Sequence, residues 1–360
     1  MILLSLLLFT AVPSPSWTVM LTKVFCQGTS VVSDGSTLYF SGRRAGFPKQ
    51  TNVAIGRVSV NGTELDPWLT KRIVDAPGEF PPALMGRNAA LSADGLFVFQ
   101  DGQPGQSFSP FVIDSWGPVV TDGTRWYTLN CRKVDGPALK LLCSTNSAKV
   151  WLTALVPSNR GKLVNGFLVL AGGRCFVSAA QESLPSNASG SWALEAATGK
   201  QLWHQAIGVQ QGIAVYADRL FLHETDGLAC RRQDTGELLW KVPQKGGSYF
   251  SAPTAPVITT DGVITSTWEG QPVVRAHQRG SGLMLWETPL PGLPQRVSLS
   301  FDAAHERLYA CSAWGSYCLS ALDGSVIWHN PTAIGLGSVV GGKLLLVMPS
   351  SITAYGLEAK

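Results

Sequence analysis

Ala193 to Trp203 reads ALEAATGKQLW, and the pattern returns as CRRQDTGELLW (Cys230 to Trp240), AHQRGSGLMLW (Ala276 to Trp286) and CLSALDGSVIW (Cys318 to Trp328). In each copy a small residue stands six positions before a glycine, and a tryptophan stands four positions after it. The physical reading is a strand, a tight turn and a second strand. Gly199, Gly236, Gly282 and Gly324 can take the positive φ such a turn demands, and Asp234 and Asp323 suit it by bonding their own backbone. Trp203, Trp240, Trp286 and Trp328 then fall at equivalent places on the outgoing strand, spaced 37, 46 and 42 residues apart.

A second feature surrounds these copies: a short apolar strand, a turn and another apolar strand. The turns are Asp34-Gly35, Asp94-Gly95, Asp122-Gly123, Asn165-Gly166, Ala217-Asp218, Asp261-Gly262, His305-Glu306 and Gly341-Gly342, followed by LYF, LFVF, RWYTL, FLVL, RLFL, VITS, RLYA and KLLLV. Their mean spacing is near that of a four-stranded propeller blade, roughly 40 to 50 residues. The first hairpin supplies strands one and two of a unit, and the glycine-turn hairpin supplies strands three and four. The expected fold is therefore all-β, a β-propeller of four-stranded antiparallel blades, with eight blades expected and seven the alternative. Strands covered on both faces by neighbouring blades account for apolar runs such as Leu344 to Val347 in place of strict alternation.

The N-terminal half is more degenerate. Trp68, Trp116 and Trp151 are the counterparts expected there, Asp94 to Trp116 has room for about three strands, and the proline-rich stretch Lys71 to Arg87 reads as an insertion between blades. The C-terminal piece Gly335 to Leu357 holds three strands and lacks a fourth. Trp17 to Phe25, read as one strand, is expected to supply it, so that one blade joins both chain ends and no edge of the ring stays open.

The repeat resembles A-x-D-x-x-T-G-x-x-x-W of the pyrroloquinoline-quinone-type (PQQ-like repeat) β-propellers, with Glu195 in place of the usual Asp. The resemblance is specific over about Gly166 to Leu357. That family includes large quinoprotein alcohol dehydrogenases and, closer to this chain in size, an eight-bladed lipoprotein scaffold of bacterial outer-membrane protein assembly. The resemblance implies the fold, with tryptophans docking between adjacent blades. It does not by itself imply the cofactor. The dehydrogenases carry adjacent cysteines, a catalytic Asp and calcium ligands; here no two cysteines are adjacent and no acidic residue matches those settings. No cofactor, catalytic residue or metal site is expected, PQQ being the one group the resemblance raises.

Composition narrows the classes further. Only 14% of the 360 residues are charged, beside 38 glycines and 12 tryptophans, a profile of short strands and turns that excludes disorder and coiled coil. The net charge of +4 comes without a dense basic run, so nucleic-acid binding is not indicated; Arg43-Arg44 and Arg231-Arg232 read as solvated loop or strand-edge residues. Ile2 to Val12 is an apolar run too short to span a bilayer, followed by Ser14 and Ser16, and resembles the h-region of a secretory signal, although Lys and Arg are missing before it. Residues 1–16 are read as a signal peptide and 17–360 as one propeller domain, exported to a periplasmic or extracellular location, with no stable membrane span and monomeric.

The seven cysteines are an odd number. Cys311 and Cys318 flank Trp314-Gly315, and a two-residue turn there would set them opposite each other within disulfide reach. Against a disulfide, Cys318 and Cys230 hold the small-residue position of Ala193 and Ala276, which a buried thiol also fills; both readings stay open. Cys131 and Cys143 form a weaker pair. The five histidines, His204, His223, His277, His305 and His329, show no ligand spacing, and His204 and His329 each follow a motif tryptophan. Asn61-Gly62-Thr63 and Asn187-Ala188-Ser189 are sequons of chance frequency. The leading expectation is a non-catalytic exported scaffold for an unidentified protein partner. The alternatives are a small PQQ-dependent oxidoreductase and a carbohydrate-binding propeller using Trp126, Trp268 or Trp314.

Overall fold

The turns of the repeat explain the strands around them. In all four C-terminal copies the glycine N–H donates back to a carbonyl four residues earlier: Gly199 to Glu195 (2.8 Å), Gly236 to Arg232 (3.0 Å), Gly282 to Gln278 (2.8 Å) and Gly324 to Ser320 (2.9 Å). Their φ angles are 73, 73, 76 and 73°, in the left-handed region that favours glycine. The turn before the second strand uses aspartate in two blades. Asp122 Oδ1 accepts from the Thr124 N–H and hydroxyl and the Arg125 N–H, and Oδ2 accepts from the Tyr127 hydroxyl at 2.8 Å. Asp34 repeats this set with Ser36, Thr37 and Tyr39. Burial pushes both carboxyls up, but these hydrogen bonds outweigh it and hold each at about 2.

The computed structural model describes residues 13–26, 31–44, 51–74, 82–92, 96–101, 103–108, 115–132, 139–156, 163–181, 190–207, 209–224, 226–243, 255–294 and 297–357. Their strands form eight antiparallel sheets, the blades of a propeller ring. Blade 1 runs from Val24–Cys26 to Trp68–Val74, blade 2 from Ala83–Met85 to Gln103–Phe108, and blade 3 from Ser115–Trp116 to Lys149–Val156. Blade 4 runs from Leu163–Ala171 to Gln201–Gln205, blade 5 from Val209–Tyr216 to Leu238–Pro243, blade 6 from Val257–Ile258 to Met284–Pro289, and blade 7 from Ser298–Asp302 to Val326–Asn330. Blade 8 takes Leu336–Val340, Lys343–Met348 and Ser351–Gly356 from the C-terminal end and Pro15–Met20 from the N-terminal end, with Trp17 opposite Ala354. In blades 1 to 7 the innermost strand comes first in sequence, and in blade 8 the outermost does; in blades 1 and 3 the innermost strand is split into two short pieces paired with the same second strand.

A three-strand ladder crosses most blades. Ala193 pairs with Phe176 on one side and Trp203 on the other; Cys230 with Phe221 and Trp240; Ala276 with Ile264 and Trp286; Cys318 with Tyr309 and Trp328. Cys143 repeats this between Tyr127 and Trp151. The small residue leaves room for the flanking rings to meet, as at Phe221–Trp240, with centroids 6.0 Å apart. The hydrophobic core lies between blades. At the seam of the ring, Val19, Leu345 and Ile352 of blade 8 pack with Leu38, Phe40 and Val58 of blade 1.

Several local expectations are corrected. Trp17 to Phe25 is two strands in different blades, because the chain turns at Leu21–Lys23, where the Glu64 carboxylate accepts from the N–H groups of Thr22 (2.9 Å) and Lys23 (2.8 Å) and from the Thr22 hydroxyl (2.6 Å). Asn165-Gly166 lies inside the first strand of blade 4, and the turn is Gly172-Gly173, with φ of 55 and 72°. Blade 2 is complete, since Ala83–Met85, inside the stretch read as an insertion, is its first strand. Its second strand is Asn88–Ser92, which makes Leu96–Gln100 the third; Asp94-Gly95 between them lies outside the described residues. Trp116 pairs with Cys131 on the inner part of blade 3 and is no counterpart of the outer-strand tryptophans.

Candidate docking surface

Each motif tryptophan sits on the outermost strand of its blade, and four of them are joined to a glycine turn of the next blade by the same bond. The Nε1–H of Trp151 donates to the Ala196 carbonyl (3.1 Å), that of Trp203 to Gln233 (2.9 Å), Trp240 to Arg279 (3.0 Å) and Trp286 to Ala321 (3.2 Å). Each acceptor lies three residues before the glycine of the next blade. Trp17 does the equivalent for the seam, donating to the Val60 carbonyl (3.1 Å) next to Gly62. The ring lies flat on the glycine: a Cβ on Gly236 would fall 2.9 Å from Trp203, and one on Gly62 2.7 Å from Trp17. Trp328 is 5% exposed and packs on blade 8 with Tyr355 and Leu357; the fourth strand of that blade is Pro15–Met20, so its third and fourth strands share no such turn.

A second latch, absent from the sequence reading, lies beside the first. Arg125, Arg219 and Lys343 start the second strands of blades 3, 5 and 8 and reach the next blade's turn. Arg125 donates to the Ala197 carbonyl (3.4 Å), Arg219 to those of Arg279 (2.8 Å) and Gly280 (3.2 Å), and Lys343 to Val60 (2.9 Å). The signal was the cation opening RWY, RLF and KLL after each turn.

The first–second and third–fourth strand turns share one face of the ring, and the other connections leave from the opposite face. Along the rim of the turn face, the residues just before the tryptophans are apolar and exposed: Leu202, Leu238, Leu239, Met284, Leu285 and Val326. At the opposite face Trp314 is 66% exposed at the tip of a hairpin beside Ile334, and Trp268 is partly exposed. Trp126, by contrast, is fully buried, its Nε1–H donating to Asn146 Oδ1 at 2.7 Å. It has no surface to offer a sugar.

The described innermost strands carry no Lys, Arg or Glu, and their one Asp, Asp302, has Oδ2 2.7 Å from His305 Nδ1 beside a turn. No group of three or more His, Cys, Asp or Glu residues among the described residues could hold a metal. A quinone with several carboxylates needs cations and a metal to bind them; the inner strands described here do not make that site.

Cys143, Cys175, Cys230, Cys311 and Cys318 are buried thiols. Cys311 pairs with Ser316, whereas Cys318 pairs with Tyr309, because the two-residue turn is Ala313-Trp314, one residue earlier than expected. That register sets Cys311 and Cys318 diagonally, and both are free and buried. Cys143 pairs with Tyr127 and Cys131 with Leu139, which separates that pair too.

The histidines fall into structural places. His204 stacks on Trp192 (4.7 Å) and His329 on Tyr317 (4.0 Å), each opposite its partner on the adjacent strand. His223 of blade 5 and His277 of blade 6 are buried, with Nε2 of the first and Nδ1 of the second lacking a hydrogen-bond partner. Burial, reinforced by His277, pushes His223 down to about 4; burial and Arg275 do the same to His277. Arg231 is not solvated: its guanidinium is buried against Glu224 (2.7 Å) and donates to the Gly236 carbonyl (2.9 Å), while Lys241 meets the other Glu224 oxygen at 2.7 Å. Arg232 pairs with Asp234 at the surface. The Arg43 and Arg44 side chains and Asn187 lie outside the described residues; Asn61 is exposed in the turn of blade 1. No helix among the described residues is long and apolar enough to cross a membrane.

Blade count, seam, glycine turns and docked tryptophans together define the class: an eight-bladed β-propeller. Residues 190–342 match the family described as "Outer membrane protein assembly factor BamB". No curated protein sequence matches the chain significantly. Among solved structures, BamB from Moraxella catarrhalis is similar at 15% identity and a TM-score of 0.66, with 97% of this chain and 99% of that one covered. The quinohemoprotein alcohol dehydrogenase from Comamonas testosteroni is similar at 11% identity and a TM-score of 0.70, covering 96% of this chain and 77% of that one. The quinohemoprotein alcohol dehydrogenase ADHIIG from Pseudomonas putida HK5 gives 12% identity, a TM-score of 0.69 and the same coverage. At these identities the likeness is one of fold.

Proposed function

We propose that this chain is a non-catalytic scaffold, exported to the cell envelope, that binds another protein as a monomer. The observation that carries this reading is the rim of the turn face. Exposed apolar residues recur there over four consecutive blades, at Leu202, Leu238, Leu239, Met284, Leu285 and Val326, and an apolar surface repeated in this way costs solubility unless a partner covers it. The described inner strands also support the reading, since they carry no Lys, Arg or Glu to meet the carboxylates of a quinone. Coverage of nearly all of BamB, against 77% of each dehydrogenase, agrees with it. Export rests on the apolar leader and on the likeness to an outer-membrane assembly factor.

A photo-crosslinking residue at Leu238 or Met284, in the chain expressed in its own envelope, should yield a discrete protein adduct, and one at Lys149 should not. Alcohol-dependent dye reduction by the purified chain, after addition of PQQ and calcium, would overturn the non-catalytic reading.

A further inference from the structure

The latching cations occupy one position of the repeat, two residues before the second-strand residue that pairs with the small residue of the ladder. That position holds Arg125, Arg174, Arg219, Gly262, Arg307 and Lys343 in blades 3 to 8. Gly262 alone brings no side chain. Between blades 5 and 6 the Arg279 carbonyl accepts from both Trp240 and Arg219. Between blades 6 and 7 the equivalent Ala321 carbonyl accepts from Trp286, and where a second donor would lie there is a cleft of about 40 Å3, partly open to solvent. Its walls are Gly262 and Leu285 of blade 6 and Phe301, Glu306, Ala321 and Leu322 of blade 7.

The surroundings suit a cation carried on an apolar segment. Asp261 and Glu306 line the cleft, and neither has an ion pair among the described residues. Leu285 and Leu322, about half and two-thirds exposed, line it. Arg279, the nearby cation, is already placed over the Tyr216 ring at 4.0 Å and bonded to the Thr260 carbonyl. We infer that the cleft between blades 6 and 7 receives an arginine or lysine side chain of a protein partner, which completes the latch this chain lacks there. This rests on the scaffold reading and adds the chemistry of the partner's contact.

The test uses the full chain, the tripeptide acetyl-Leu-Arg-Leu-amide and its citrulline counterpart, which keeps the shape and loses the charge. The arginine peptide should shift the amide resonances of Gly262, Ala321 and Leu322, and the citrulline peptide should bind at least about threefold more weakly. Gly262→Arg should abolish the shifts, since it supplies the missing cation. Its φ lies outside the left-handed region, and a Cβ there meets Thr259 Oγ1 at 3.3 Å as its nearest contact. Should that variant fail to fold, the pair Asp261→Asn and Glu306→Gln should weaken the arginine peptide by a similar factor. Equal binding of the two peptides, or binding untouched by these substitutions, overturns the inference. If the rim crosslink persists unchanged in Gly262→Arg, the scaffold reading stands and this contact falls.

Discussion

The indole of Trp17 donates to the carbonyl of Val60 at 3.1 Å, and this bond joins the last blade to the first. Lys343 donates to the same carbonyl at 2.9 Å, with its ammonium 5.8 Å from the Trp17 ring centre. One acceptor thus holds two latches from blade 8, one contributed by each end of the chain. Trp17→Ala should cost about 3 to 5 kcal/mol, the range for removing a packed tryptophan. Chemical denaturation of the full chain gives the number. A loss below about 1 kcal/mol would mean that the seam is held by Lys343 and the core alone.

The glycine under each tryptophan carries two separate constraints, and they can be divided. At Gly282 a methyl group would lie 2.7 Å from the Trp240 ring, and φ is +76°. Gly282→Ala should destabilise by more than about 2 kcal/mol in the parent but by only about 1 kcal/mol in a Trp240→Ala background, where the backbone cost alone remains. Additive effects in the double variant would show that the ring does not rest on the glycine.

Acid should weaken the contact region of blades 5 and 6. The folded His223 and His277 titrate near 4, below the ordinary 6.5, because burial disfavours their charged forms. From pH 6.5 down to 4 the unfolded chain binds protons that the folded chain does not, so stability is full above 6.5 and falls as the pH drops through this window. The upper limit is about 3 kcal/mol for each ring. Melting temperatures at pH 7.5 and 5.0 should differ by several degrees in the parent and by clearly less in a His223→Leu, His277→Leu double variant. An equal drop in both proteins would place the acid sensitivity elsewhere.

Burial pushes the Cys311 and Cys318 thiols up to about 12, which removes the reactive thiolate at neutral pH. Both should resist alkylation in the native protein and react fully in denaturant. The alkylated mass after denaturation should be the same with or without prior reduction for the peptides that contain them. A mass lower by two alkyl groups in the unreduced sample would restore the disulfide.

Much of the architecture was legible because it is written locally and repeatedly. Glycine at the left-handed turn, a small residue six places before it and a tryptophan four places after are short-range requirements, so each of the four copies shows them. The missing fourth strand of the last blade followed from strand counting, and Pro15–Met20 supplies it. The degenerate half was harder for a physical reason: blade 2 has short strands and no outer-strand tryptophan, so its first strand, Ala83–Met85, was hidden beside prolines that read as an insertion. Trp116 and Trp126 carried the right residue type in the wrong places, one on an inner strand and the other in the core.

The sequence by itself determined the strand, turn and strand rhythm, because backbone conformation and burial period are set by neighbouring residues; it pointed to the closing of the ring and to eight blades over seven, and the eight sheets decided that count. Only the tertiary structure decided what meets across blades. Trp203 and Gln233 lie 30 residues apart and Arg219 and Gly280 lie 61 apart, and no local pattern marks such pairs. Turn register was decided at the same level: starting the hairpin at Ala313 instead of Trp314 moved Cys318 from opposite Cys311 to opposite Tyr309. The cleft at Gly262 is the same kind of fact, since a glycine becomes a vacancy only when Arg219 of blade 5 shows what its equivalent does.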